Sequence, residues 1–198
     1  MSRRLHLELD FPVSYEVEQL DRIDRSGARR AYGFPDAVLL DRQQELADRP
    51  ILGVTPEAGD PWVGVFYGGD YSAPASAPSR LIAWPDGRSF CVLYRGGAVV
   101  VRADSPQDTY EIDTYPVTQM FVIPERGVVV FADFTNLTAY SGEGLLWSSR
   151  RLALDEVRVE GIEGDALTVY GFFGSSSEHF TVDLTTGQAS GQPFQPPE

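Results

Sequence analysis

The chain has 198 residues, 42% of them hydrophobic and 23% charged, a composition that suits a folded domain and excludes a disordered tail. Acidic residues number 29 against 16 basic ones, and the formal net charge of −13 repels phosphate, making nucleic acid and anionic membrane poor partners. One cysteine excludes an internal disulfide, and with two distant histidines it cannot complete a zinc cluster.

At the start, Leu5, Leu7 and Leu9 alternate with His6, Glu8 and Asp10, which predicts a half-buried strand. The pair Arg3-Arg4 has no apolar stretch behind it, and no run reaches the length of a membrane span, so a cytoplasmic protein is expected. Val17, Leu20 and Ile23 recur every third residue, as one helical turn or an irregular strand would place them. The polar tract Asp41 to Leu46 is read as a short helix. Residues 1–49 are thus a non-repeat N-terminal segment, ahead of blade-like repeats over 50–191 and a Pro-rich tail over 192–198.

From residue 50 a rhythm sets in. Trp62 to Tyr67 reads as a strand, and Gly68 to Ser79, rich in Gly, Ser, Ala and Pro, reads as a surface loop. Turn signals then fall at equal intervals: Pro85-Asp86-Gly87, Pro124 to Gly127, and Glu163-Gly164-Asp165. Each is followed by an apolar run (Phe90–Tyr94, Val128–Ala132, Ala166–Tyr170) and then by a second strand (Ala98–Arg102, Asn136–Tyr140, His179–Leu184). The stretch Gly127 to Ala132 is apolar on both faces, as a strand between two layers must be. Cys91, within Phe90-Cys91-Val92-Leu93, is read as a buried, inert thiol. In the last strand Phe180, Val182 and Leu184 are expected inward, and His179, Thr181 and Asp183 outward.

A β repeat of about 40 residues has the spacing of propeller blades, because one small sheet cannot hide both faces until another stacks on it. The fold class expected is therefore all-β, with antiparallel blade-like sheets forming a small or incomplete β-propeller of at most four units. A β-sandwich built from the same hairpins is the alternative.

Leu137 to Trp147 is similar to the strand, turn, Gly and Trp pattern of quinoprotein-type propeller blades. Phe180-Thr181-Val182-Asp183-Leu184-Thr185-Thr186-Gly187 resembles the Asp-x-x-Thr-Gly turn of the same blades, although no Trp follows Gly187. In that family these motifs dock one blade on the next and do not hold the quinone, so the resemblance implies architecture alone. Phe131 to Tyr140 with Trp147 to Asp155 also resembles a group of small uncharacterised bacterial and plant proteins, which carries over no functional residue.

The chemistry available is sparse. Ser175, Ser176 and Ser177 precede His179, and Asp183 shares its expected face, but no nucleophile elbow accompanies them, so a surface histidine is expected. Asp104, Asp108, Glu111 and Asp113 lack the register of a calcium loop. No catalytic residue, cofactor or metal is therefore expected. Residues 103–198 hold 15 acids against 4 Arg. Within them Asp155, Glu156, Glu160, Glu163 and Asp165 surround a predicted hairpin, interleaved with Arg150, Arg151 and Arg158. Phe172 and Phe173, with Tyr71 elsewhere, are loop aromatics able to anchor a partner.

The reading that results is a non-enzymatic, acidic protein-binding module whose partner is basic, an immunity or inhibitor protein paired with a basic toxin being one concrete version. The alternatives are a small-molecule binder or enzyme using a central pocket, with His179 turned inward beside Asp133, and a structural subunit of a larger propeller.

Overall fold

The computed structural model describes residues 5–22, 28–32, 49–68 and 79–190. The expected helix at 41–46, most of the expected loop with Tyr71, and the tail at 192–198 lie outside the described residues. The chain divides into two compact units, Met1–Ile112 and Asp113–Glu198. Among the described residues both are all-β, and none of their sheets closes into a barrel.

In the first unit one sheet runs in the order β1 (His6–Glu8), β6 (Arg80–Ala83), β7 (Ser89–Tyr94), β8 (Gly97–Arg102) and β9 (Thr109–Glu111). The other runs β2 (Tyr15–Gln19), β4 (Ile51–Pro56), β5 (Trp62–Phe66) and β3 (Ala28–Tyr32). In the second unit β10 (Gln119–Ile123), β11 (Val128–Ala132), β12 (Leu137–Ser141) and β13 (Gly144–Ser148) form one sheet. The last comprises β14 (Asp155–Glu163), β15 (Ala166–Phe172), β16 (Ser177–Asp183) and β17 (Ala189–Ser190). Neighbours are antiparallel except for β1 on β6 and β3 on β5, which are parallel.

The chain reverses at the three places the sequence marks. Between β6 and β7 the Asp86 carboxylate accepts the backbone N–H groups of Arg88 and Ser89, each at 2.8 Å, and Gly87 takes φ 70°. Between β10 and β11 a single 3₁₀ turn, Pro124–Arg126, ends on Gly127 at φ 61°, whose N–H reaches the Pro124 carbonyl. Between β14 and β15 the turn rests on Gly164 at φ 59°. Proline sets the entry to the first two turns, and a glycine supplies the left-handed residue in all three.

Each unit hides its apolar residues between its two sheets. In the first, Phe90 packs against Tyr15, Trp62 and Phe66 with ring centroids 5.7, 6.1 and 6.1 Å away. In the second, Val130, Ala132, Leu137 and Ala139 face Val157, Val159, Leu167, Val169, Phe180 and Val182. Every residue of β7 and of β11 is buried, which accounts for their unbroken apolar sequence. Cys91 is fully buried there, and burial pushes its thiol pKa well up.

The N-terminal segment differs in detail from its pattern. Leu5 is buried, but Leu7 and Leu9 are 43% and 47% exposed. The three-residue strand β1 lies at the edge of its sheet, so alternation alone does not carry its leucines into a core. The spacing of Val17 and Leu20 belongs to no helix. Val17 sits in β2, opposite Val54 of β4, where the cross-strand partner overrides the threefold rhythm.

Candidate interaction surface

The last sheet shows how strand sequence makes a two-faced layer. Along β14 Val157 and Val159 point into the core, and along β16 Phe180 and Val182 do the same, while the residues between them are exposed. Two register shifts in β14, between Asp155 and Arg158 and between Val159 and Gly161, break simple alternation. Glu156 takes φ 56° at the first of them, with its N–H bonded to the Asp155 carboxylate at 2.7 Å. Glu156, Arg158 and Glu160, two residues apart along the strand, share its exposed side.

Register then aligns Arg158, Tyr170 and His179 in one row across β14, β15 and β16. The Arg158 guanidinium carbon lies 4.5 Å from the Tyr170 ring centroid, its Nη2 3.2 Å from Glu160 and its Nη1 3.6 Å from Glu156. His179 Nε2 lies 2.9 Å from the second Glu160 oxygen, and its ring meets Tyr170 edge-on at 5.5 Å. The Tyr170 hydroxyl donates to Ser177 Oγ at 2.8 Å. Exposed pairs of this kind are each worth about 0–1 kcal/mol, so the row is organised without being locked.

The sequence-predicted residues divide. Asp155, Glu156, Glu160 and Phe172 belong to this end of the sheet, with Asp155 opposite Phe172 in the register. Glu163 and Asp165 lie at and just past the turn end of β14, Glu163 being about 16 Å from Arg158 at about 3.3 Å per residue. Asp165 is held at 2.5 Å by Arg126. Phe173 turns towards Phe180, 6.5 Å between ring centroids, and packs on the core. Tyr170 had no part in the sequence reading as a site residue. Only the cross-strand register brings it between Arg158 and His179, and no local sequence pattern marks it.

Elsewhere the candidate groups are engaged differently. His179 faces outward, so it does not form the inward pair with Asp133. That carboxylate caps its own turn by accepting the N–H groups of Thr135 and Asn136 at 2.6 and 2.7 Å. Asp183 likewise accepts from Thr185 and Thr186, and these bonds, led by the Thr186 hydroxyl, hold its pKa below the usual carboxylate value. Asp104 pairs with Arg102 at 2.8 Å. Among the described residues no three His, Cys, Asp or Glu side chains converge as a metal site. A shallow groove of about 420 Å³ in the first unit is lined by Val13 to Glu16 and Thr55 to Glu57.

Two tryptophans tie sheet to sheet within the units. Trp62 Nε1 donates to the carbonyl of Ala103, just past β8, at 2.8 Å. Trp147 Nε1 donates to the carbonyl of Leu184, just past β16, at 2.7 Å. The Trp147 ring lies against Gly187, where a Cβ would stand 2.5 Å from its Cε3.

No protein-family model matches the chain, and no curated protein matches it.

Proposed function

We propose that this protein is a non-enzymatic module that binds a basic protein through the acidic surface of its second unit. The observation that carries this reading is the solvent exposure of alternate residues on β14 and β16, with the outward residues of β15 half-buried between them. The strands β7 and β11 are buried throughout, yet β14 and β16 leave every second side chain to solvent, in a cross-strand row of charged and aromatic groups. Such a row suits recognition by charge and flat stacking.

The sheets are read as blades of a small or incomplete propeller. Support comes from the evenly spaced turns and from the repeated tryptophan bond to the carbonyl just past a strand of the neighbouring sheet. An immunity or inhibitor protein acting on a basic partner in the cytoplasm is the concrete version. Affinity capture from native lysate, at low and at high salt, tests it. A salt-sensitive protein partner is expected; its absence at low salt would count against the reading.

A further inference from the structure

The outward face of β14–β16 carries Asp155, Glu156, Glu160, Glu163 and Asp183 against Arg158 and His179, within a half of the chain that has 15 acids and 4 Arg. Three strand spacings of about 4.8 Å by nine residues of about 3.3 Å give this face roughly 400 Å² in projection, which is small for a stable interface. Affinity there must come from a few well-placed contacts rather than from area. The structure displays one such contact already. A guanidinium plane stacks on Tyr170 while its edges reach Glu156 and Glu160. Guanidinium fits this arrangement better than ammonium, because it is planar, weakly hydrated and able to stack and bridge at once.

Resting on the protein-binding reading above, we infer that this sheet face docks a basic protein surface through arginine, whose guanidinium takes the place Arg158 holds between Glu156, Glu160 and Tyr170. Arg158 is half exposed and its ion pairs are solvent-facing, so exchanging it for an incoming arginine costs little. Arg158 is then a placeholder that keeps the two carboxylates and the ring in position, and its removal opens the site.

The test titrates the full chain with hexa-arginine and, separately, hexa-lysine peptide, following backbone amide shifts by NMR. Arginine peptide is expected to move Glu160, Tyr170 and His179 in a saturable way and to bind about tenfold tighter than lysine peptide. Raising salt from about 50 to about 500 mM is expected to weaken it roughly tenfold. Glu160→Gln should weaken binding several-fold and Arg158→Ala should strengthen it, the Trp147 indole signal confirming the native fold in both variants. Equal affinity for the two peptides, shifts centred on residues 104–113, or weaker binding by Arg158→Ala would each overturn the inference. A protein partner that cross-links elsewhere on the chain would also overturn it, while leaving the protein-binding reading standing. Failure to capture any partner would instead remove that reading.

Discussion

Gly187 and Asp183 show how much a single turn residue decides. Gly187 adopts φ 69° with the Trp147 ring pressed against it, so an added methyl group meets both a strained backbone and an occupied space. Gly187→Ala is expected to cost roughly 2–4 kcal/mol, read from urea unfolding followed by tryptophan fluorescence. The Asp183 carboxyl is held below its ordinary value of 3.8 by bonds led by the Thr186 hydroxyl. A depressed pKa stabilises the fold above the unfolded value and loses that effect as pH falls through the folded one. Melting temperatures of native protein and Asp183→Ala should therefore differ at neutral pH and converge below pH 3.8. A gap that stays constant on acidification would show that the turn acts through something other than this carboxylate. Cys91 has the opposite sign. Burial raises its thiol above 9.0, so its stabilising effect is whole below that pH and is lost as the solution becomes more alkaline. A thiol reagent at about pH 8 should leave the folded protein unmodified and label it on addition of denaturant, since only the exposed thiolate reacts.

At the scale of elements, the two tryptophan bonds are the contacts on which neighbouring sheets depend most visibly. Trp147→Phe keeps an aromatic ring in the core but leaves the buried Leu184 carbonyl without its donor. Trp62→Phe does the same to Ala103. Each is expected to lower stability by about 1–3 kcal/mol, the usual cost of stranding a buried acceptor. Chemical denaturation curves that coincide with the parent protein would remove that role. Hairpin positions were readable from sequence because Pro85, Asp86, Gly87, Gly127 and Gly164 have few alternatives to a turn. The strand β1 was readable as a strand, yet its burial was not, since alternation in a short edge strand says nothing of what lies over it. β2 was ambiguous for a related reason: its residues become a strand only through pairing with β4.

For the whole molecule, charge is the dominant long-range property. With a net charge of −13, two copies repel each other, and the acidic face of the last sheet is a poor seat for its own kind. Light scattering at low ionic strength should return the single-chain mass of 21.8 kDa. A dimer that persists there would point to an assembly subunit in place of a receptor for a basic protein. The candidate surface was only partly legible beforehand. Acidic composition singled out Asp155, Glu156 and Glu160, but grouped them with Glu163 and Asp165, which sit at the turn that ends β14, beyond the Arg158 row.

The sequence by itself determined the all-β class, the three reversals and the inward and outward sides of β16. Each follows from local chemistry: turn residues with restricted backbone choices, and a strand period of two. Only the tertiary structure decided that Arg158, Tyr170 and His179 stand in one row, that Phe173 packs inward, and that the outward residues of β15 lie half-buried between exposed ones of β14 and β16. Cross-strand register and layer stacking bring together residues far apart in the chain, and no local pattern records which neighbours those will be.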